Sequence, residues 1–425
     1  MKTKHSPCEL CVLCASVVKR GLLILVLTIS FNGISQSLKK GVWQGKLTLS
    51  EKENIVLPFN FETKLVGKKN ILFIWNAEER IKVDEVTLKK DSINFKMPVF
   101  DSEFKTKNYG DSLVGVWINY SRKDKNIIPF KAYFGKTNRF DFVPGKPYSF
   151  YEGKWDVTFS PGTEDSSKAI GVFTQGGSVY ADGTFLTETG DYRYLSGIQH
   201  KGDLYLSCFD GSHAFLFIGR TDGISVTNGD FYSGSHWHEK WTAKRNDTIQ
   251  LRSPETITKL NPGFESVSFS FKNTEKKTIS INDDKYKNKV VIVQLMGSWC
   301  PNCMDETNYL SEIYKKYNSK GLEIIGLAYE RTNDWDKAVS NVNRLKKRYS
   351  VGYEILITGL TGKEKASESL PMLSKISAFP TTLFIDRKGK VQRIHTGFSG
   401  PATGAAYEKF KKETEDLLNK LLTEK

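Results

Sequence analysis

Cysteine is scarce in this sequence, with six residues among 425. That number is too small for a disulfide scaffold in a chain of this length, so hydrophobic cores have to hold it together. Low-complexity tracts are absent, and the lysines and arginines are spread along the chain without an extended basic block. The composition therefore favours two or three globular domains and gives no indication of nucleic-acid binding.

Residues 1–35 have the pattern of a secretory signal peptide. Four basic residues precede the apolar stretch GLLILVLTISF at 21–31, which has the length of a signal-peptide hydrophobic region and is short for a membrane span. Gly33 and Ser35 are small residues just before Gln36. We expect cleavage before Gln36 and export to the periplasm or cell envelope, with an uncleaved N-terminal membrane anchor as the alternative.

Removal of this segment changes the inventory of cysteines and charges. Three of the six cysteines precede the apolar stretch and leave with it, so the mature chain retains Cys208, Cys300 and Cys303. Cys208 lies in an apolar run and is expected to be a buried thiol in a core. The formal charge falls from +14 to about +11, which favours solubility without naming a partner.

Residues 36–246 are predicted to be rich in β-strands. Short runs of alternating apolar residues recur about every ten positions and are separated by Asp-Gly, Gly-Asp and Asn-Gly turns, a pattern typical of sandwiches and barrels. Gly-x-Trp occurs three times, and we interpret each tryptophan as a core residue beside a turn. The boundaries expected are one β-rich unit at 36–149 and a second at 150–246, with a single domain over both as the alternative.

The periodicity changes after a predicted linker at 247–263. Strands are expected at 290–297, 322–329, 354–358, 381–386 and 391–396, and helices at 301–318, 335–349 and 405–422. Strands that alternate with helices indicate an α/β domain, here residues 264–425. The predicted architecture is therefore multidomain, with a β-rich N-terminal region followed by an α/β domain.

Two cysteines lie where a buried strand of this domain meets a helix. Cys300 ends the strand, and Pro301 suits the first helical turn because its missing N–H costs no hydrogen bond there. The positive end of the helix dipole stabilises a thiolate, so we expect a lowered pKa for Cys300. Cys303 follows one turn later on the same face, close enough to form a disulfide. One exposed, activated sulfur and one sheltered sulfur are what thiol–disulfide exchange requires.

Three other interpretations of the Cys300 and Cys303 pair fit the sequence less well than thiol–disulfide exchange. A zinc site needs about four ligands, and the α/β domain has no second Cys-x-x-Cys or nearby histidine pair. A permanent disulfide would close a very small loop and stabilise little. A peroxiredoxin would need a Pro-x-x-x-Thr-x-x-Cys motif, which the sequence lacks. No cofactor or metal is expected.

The motif Trp299-Cys300-Pro301-Asn302-Cys303, followed by Phe379-Pro380-Thr381 before a later strand, resembles the thioredoxin superfamily. Within it, residues 303–306 (Cys-Met-Asp-Glu) resemble exported TlpA/ResA-type thiol-disulfide oxidoreductases of Bacteroidetes type, of the AhpC/TSA–redoxin superfamily. The resemblance covers residues 264–424, while residues 36–246 resemble only the β-rich extensions of such proteins in Bacteroidetes.

This resemblance implies a thioredoxin-like fold and a role for five residues. Cys300 would attack the client disulfide and Cys303 would resolve the intermediate. Trp299 would form a flat apolar cover, and Pro380 would be a cis-proline facing the two sulfurs. Glu306 would be an acidic residue near the site; a solvated position on the helix surface is its alternative.

The sequence departs from thioredoxin at one position, and it has no cation between the two cysteines. Gln294 stands where thioredoxin carries a buried acid, so Glu306 or water has to accept the proton of Cys303. The Pro301-Asn302 dipeptide contains no cation to stabilise a thiolate, which favours a reductase over a strong oxidant.

The function expected is reduction of disulfides in a client protein, with a membrane-embedded thiol-disulfide electron donor. A thiol peroxidase or oxidase on the same fold is one alternative, and a β module that binds a ligand or partner is another. His236 and His238 have a spacing that suits a metal site, which His213 and Asp210 could complete, but a His-x-His pair is more typical of surface or hairpin residues. The basic run at 344–348 indicates the solvated face of a helix, with a partner-docking surface as the alternative.

Overall fold

The structure is a computed structural model that describes residues 37–124, 126–146, 150–175 and 178–424. The predicted signal peptide lies outside the described residues. Within the described ranges, no helix combines the length and the apolar character needed to cross a membrane.

Nine antiparallel strands form the first sheet, in the order β4-β3-β2-β1-β9-β8-β7-β6-β5. Side chains along these strands alternate between buried and exposed, as in β7, because one face of the sheet covers a core and the other meets water. The strands are β1 (Gly41–Ser50), β2 (Ile55–Val66), β3 (Lys69–Asn76), β4 (Glu79–Val83), β5 (Glu85–Lys89), β6 (Ser92–Lys96), β7 (Ser102–Asn108), β8 (Ser112–Asn119) and β9 (Ile127–Phe134).

The next nine strands form a barrel. β11 pairs with both β10 and β12, which closes the antiparallel sheet, and β13 is a two-residue addition to β12. Packed aromatic side chains, including Phe185, Phe217 and Trp241, fill the interior, which is therefore a core. The strands are β10 (Gly153–Phe159), β11 (Ser167–Thr174), β12 (Tyr180–Thr187), β13 (Gly190–Asp191), β14 (Leu195–His200), β15 (Asp203–Phe209), β16 (Ala214–Thr221), β17 (Ser225–Ser233) and β18 (Trp237–Arg245).

The C-terminal domain has a mixed sheet in the order β20-β19-β23-β22-β21-β24-β25, with helices on its faces. β21, β22 and β23 are parallel, and β24 runs antiparallel beside β21. The strands are β19 (Ser270–Asn273), β20 (Thr278–Ser280), β21 (Val290–Met296), β22 (Leu322–Ala328), β23 (Glu354–Ile357), β24 (Thr381–Ile385) and β25 (Val391–Thr396), and the helices are α1 (Pro301–Tyr317), α2 (Trp335–Tyr349), α3 (Gly362–Ser369) and α4 (Ala405–Thr423).

These elements confirm the predicted fold class. The β-rich region contains a barrel, and the helices and long strands of the α/β domain lie within about a residue of their predicted bounds. Sequence periodicity missed β19, β20 and α3, which are short and bury few residues. The tryptophans of the three Gly-x-Trp motifs (Trp43, Trp117 and Trp155) are buried core residues, as predicted.

Several contacts join the β-rich region to the C-terminal domain. The first sheet shares a core with the outer face of the barrel. Val99, in the loop after β6, belongs to the core of the C-terminal domain. The second half of the predicted linker lies along that domain, where Asn261 donates to Met372 O (2.9 Å) and Thr258 donates to Lys375 O (3.2 Å). These contacts join the barrel to the first sheet and the first sheet to the C-terminal domain.

Candidate active site

Cys300 lies between the buried strand β21 and helix α1. All seven residues of β21 are buried, so the strand delivers the chain to the edge of the sheet, where Pro301 begins the helix. The Cys300 sulfur is the N-cap of α1 and accepts the Cys303 N–H at 3.3 Å. Cys300 is 6% exposed, and its Sγ lies 3.5 Å from Phe379 O. The local geometry is the one expected from the sequence.

Cys303 is fully buried, one turn inside α1. Loss of water, followed by its hydrogen bond and charge interaction with Cys300, raises the pKa of Cys303 well above its ordinary value. Both cysteines are free thiols. Cys300, the less buried of the two cysteines, lies at the helix N-terminus and is suited to attack, but it is not the exposed sulfur that the sequence predicted. The fully buried Cys303 can act only after it has lost its proton.

Trp299 and Pro380 flank the two thiols. The Phe379–Pro380 bond is cis, as the resemblance implied. The Trp299 ring meets the Phe379 ring edge-on, with 6.0 Å between centroids, and its Nε1 donates to Tyr329 O at 3.0 Å. These contacts fix the half-buried indole of the residue that precedes Cys300, and its role as a flat apolar cover stays a prediction.

Glu306 is fully buried, so the solvated alternative from the sequence is wrong. Its carboxylate accepts hydrogen bonds from Gln294 Nε2 (2.8 Å) and from Thr382 Oγ1 (2.8 and 2.9 Å). Burial raises the pKa of Glu306 to about 7, although these hydrogen bonds favour the charged form. Gln294 also lies 3.5 Å from Cys303 O, so the amide that replaces an acid connects Glu306 to the cysteine turn. Thr382 was missed by sequence reasoning, although it lies only two residues after the cis-proline.

Arg331 supplies the cation that is missing from the Cys-Pro-Asn-Cys segment. Its guanidinium carbon lies 3.7 Å from the centroid of the Trp299 ring, a cation–π contact. Burial lowers the pKa of Arg331, and the nearby Cys300 opposes that shift. The Pro301-Asn302 dipeptide itself contains no cation, as the sequence shows, so this charge comes from outside the Cys-x-x-Cys segment. Arg331 follows the carboxyl end of β22, an edge where parallel sheets gather functional groups, and this was the signal available in the sequence.

A loop of the barrel lies along the first turn of α1. The Asn302 amide fits the backbone of Asp191 when its oxygen faces the Asp191 N–H (3.0 Å) and its nitrogen faces Asp191 O (3.3 Å). The Asp191 carboxylate accepts the Gly400 N–H at 2.6 Å. Gly190 has φ +149°, and a Cβ there would come within 1.8 Å of the Asn302 amide. The barrel thus closes one side of the active site.

Arg193 of the barrel joins this loop to α1 through ion pairs. Its guanidinium contacts Asp305 and lies 2.6 Å from Glu79 Oε1, while its Nε lies 3.9 Å from Asp210 Oδ2. Burial alone would lower the pKa of Arg193, but the surrounding carboxylates raise it above its ordinary value. The side chain is only 8% exposed. A buried cation therefore connects the first sheet, the barrel and the active-site helix.

The remaining candidates from the sequence are the histidines with Asp210, and Cys208. The described part of the chain holds no cluster of three His, Cys, Asp or Glu suited to a metal. His213 instead pairs with Asp210 (3.2 Å) and His238 with Asp230 (2.8 Å). Cys208 is a buried core thiol, as predicted.

The basic run at 344–348 is not simply a solvated helix face. Arg344 donates to Phe100 O at 3.3 Å and to Val99 O at 3.5 Å. This residue therefore fastens α2 to the loop after β6, while Lys347 and Arg348 remain exposed. The run contributes to the contact between the first sheet and the C-terminal domain.

The known proteins that are similar to this chain match its C-terminal domain. A family model described as Redoxin matches residues 262–409, which include Cys300, Cys303 and Pro380. The thiol-disulfide oxidoreductase ResA of Bacillus thuringiensis subsp. konkukian is 31% identical over 163 residues, covering 38% of this chain and 80% of that protein. ResA of Bacillus subtilis is 26% identical over 138 residues, which cover 32% of this chain and 69% of that protein. A solved thioredoxin-family thiol:disulfide interchange protein from Chlorobium tepidum aligns with 37% of this chain and 95% of its own, at 21% identity and a TM-score of 0.29.

Proposed function

Because the chain belongs to the ResA-type thiol-disulfide oxidoreductases, we propose that it reduces protein disulfides in the cell envelope through Cys300 and Cys303. The observation that carries this proposal is a buried carboxyl group, Glu306, with a pKa of about 7, one helical turn beyond a buried thiol. Reduction requires Cys303 to lose a proton inside the protein, and in this proposal Glu306 is the group that accepts it.

The proposed reaction has two exchange steps. The Cys300 thiolate attacks one sulfur of the client disulfide, and the other client sulfur leaves as a thiolate that takes up a proton. Cys303 then loses its proton and attacks Cys300 Sγ, which breaks the mixed disulfide and releases the second client thiol. The client gains two electrons, and the protein is left with a Cys300–Cys303 disulfide.

Export and re-reduction complete the proposal. The basic and apolar segment at the N-terminus supports export, with the protein acting in the periplasm or cell envelope. An exported protein does not meet cytosolic thioredoxin, so the Cys300–Cys303 disulfide needs a membrane-embedded thiol-disulfide donor. The partners are therefore a client protein that carries a disulfide and a donor in the membrane.

The direct test uses fully reduced protein and insulin as a model client. We expect insulin disulfides to be cleaved faster than by the same concentration of a small-molecule dithiol, and a midpoint potential near that of thioredoxin, about −270 mV. A potential near −120 mV would identify an oxidase instead. Peroxide consumption that outpaces insulin reduction would favour the peroxidase alternative.

Glu306→Gln is expected to slow the second exchange step. A carboxylate in the wild-type protein accepts the Cys303 proton above pH 7 and is protonated below it, so the rate of client release should rise with pH through about 7. The amide cannot accept a proton, and we expect release at pH 8 to be about a hundredfold slower, the lower end of general-base effects. Single-turnover release of a preformed mixed disulfide measures this rate.

Glu306→Gln should also change how the free energy of unfolding depends on pH. The folded wild-type chain retains a proton on Glu306 that the unfolded chain releases, because the folded pKa is about 7 and the ordinary value is 4.5. The free energy of unfolding should therefore fall as pH rises from 4.5 to 7, and Glu306→Gln should remove this component. A variant with unchanged release kinetics and an unchanged pH profile of stability would exclude the proposed proton acceptor.

A further inference from the structure

The loop between β15 and β16 of the barrel, residues 210–213, reaches the residue that precedes Cys300. The Ser212 hydroxyl donates a hydrogen bond to Trp299 O at 3.2 Å. Ser212 is only 7% exposed, so little water competes with the hydroxyl for this carbonyl. Because the two residues belong to different domains, the barrel acts directly on the backbone of the active-site turn.

This hydrogen bond fixes one end of the peptide group between Trp299 and Cys300. At the other end, the Cys300 N–H donates to Gly297 O at 3.0 Å. Because a peptide group is planar, partners on both its C=O and its N–H hold it against rotation. The orientation of this group sets φ of Cys300, which is −100°, and with it the direction of the Cys300 side chain. In this orientation the sulfur accepts the Cys303 N–H at 3.3 Å.

Ser212 is itself held by two further hydrogen bonds. The buried Asp210 carboxylate accepts the N–H groups of Ser212 (2.7 Å) and of His213 (2.6 Å). From the first sheet, Asn119 Nδ2 donates to Ser212 O at 3.2 Å. The N–H, the carbonyl and the hydroxyl of Ser212 therefore have partners in the barrel, the first sheet and the C-terminal domain. A hydroxyl held in this way is preorganised to bond Trp299 O.

We propose that Ser212 is a positioning residue for Cys300, supplied by the barrel. Its hydroxyl fixes the peptide group before Cys300 and so keeps the sulfur at the N-terminus of α1, in position to attack. A small misplacement of a reacting atom lowers the rate of its reaction, so the barrel contributes to the rate of the first exchange step. This inference rests on the proposed function, in which Cys300 is the attacking sulfur.

The test replaces Ser212 and measures the reactivity of the Cys300 sulfur with and without a client. Ser212→Ala should slow the alkylation of reduced Cys300 by iodoacetamide and lower kcat/KM for insulin, each by about fivefold, the effect of one hydrogen bond of ordinary strength. Mass spectrometry of the peptide that contains Cys300 measures the alkylation. Ser212→Thr keeps a hydroxyl and should retain most of both rates.

Ser207→Ala is the matched control. Ser207 is also a buried serine of the barrel, and its hydroxyl donates to Pro58 O, in β2 of the first sheet, at 2.6 Å. Both alanine variants lose a bond from a barrel hydroxyl to a carbonyl of another domain, so both should lower Tm slightly in differential scanning calorimetry. Only Ser212→Ala should slow the two reactions, because only its carbonyl partner precedes Cys300.

The possible results separate the positioning role from the reductase function. Unchanged or faster reactions in Ser212→Ala, or an equal loss of rate in Ser207→Ala, would overturn the positioning role while reduction itself stands. A Ser212→Thr variant as slow as Ser212→Ala would also overturn it. If the wild-type protein failed to reduce insulin, the proposed function would fall. Alkylation needs no client, so a fivefold loss there in Ser212→Ala would still support the action of Ser212 on Cys300.

Discussion

The Cys303→Ser variant is expected to accumulate a stable mixed disulfide between Cys300 and its client. The first exchange step needs only the Cys300 sulfur, which is the N-cap of α1 and the more accessible of the two. The second step needs a thiol at position 303, and serine cannot break the mixed disulfide. Turnover should fall to the level of Cys300→Ser, while about one client chain is captured per protein chain. Non-reducing gel electrophoresis followed by mass spectrometry measures the adduct.

Two controls define this result. Cys300→Ser and the double variant should capture no client, because Cys303 is fully buried and its pKa is raised well above the ordinary value. Reductant should release the adduct from Cys303→Ser. If Cys303→Ser captured no client, the reductase mechanism would be excluded. If Cys300→Ser captured the client, the roles of the two thiols would be reversed.

Arg193→Met is expected to cause the largest loss of stability. Methionine fills much of the same space but leaves the carboxylates of Glu79, Asp210 and Asp305 without their shared cation. Removal of one partner from a buried ion pair typically costs about 3–5 kcal/mol. We expect a Tm lower by roughly 5–10 °C, measured by differential scanning calorimetry. The deficit should shrink as pH is lowered, because protonation removes the unpaired negative charges.

Arg252→Met is the matched control. Arg252 pairs with Glu188 at 3.0 Å, but both side chains are largely exposed, and such pairs contribute at most about 1 kcal/mol. Its Tm should therefore stay close to that of the wild-type protein. Equal Tm values for the two variants would show that the Arg193 cluster does not hold the active-site helix against the barrel.

Much of the fold could be predicted from local sequence patterns. Alternating apolar residues predicted the strands of the β-rich region, and the continuous apolar run at 290–296 predicted the buried strand before Cys300. The bounds of α2, 335–349, were predicted to the residue. Short elements such as α3 were not predicted, because eight mostly exposed residues carry no hydrophobic period.

The surroundings of the thiols were less predictable. Helical spacing places Glu306 one turn beyond Cys303, yet whether that turn faces water depends on Thr382 and Gln294, which come from two strands. The sequence analysis looked for a cation only within the Cys-x-x-Cys segment. Arg331 instead comes from beyond the end of β22 and packs on the ring of Trp299, next to Cys300. Contacts with the barrel, such as that between Asp191 and Asn302, leave no periodic signal in either segment.

The sequence by itself determined where the reactive cysteines lie and which of them begins the helix, because a strand end, a proline and helical spacing act over a few neighbouring residues. Only the tertiary structure decided how deeply the cysteines are buried and which charges surround them. Glu306 and Arg193 owe their partners and their burial to segments distant in the chain, and the free energy of a charge depends on those partners and on the water they exclude.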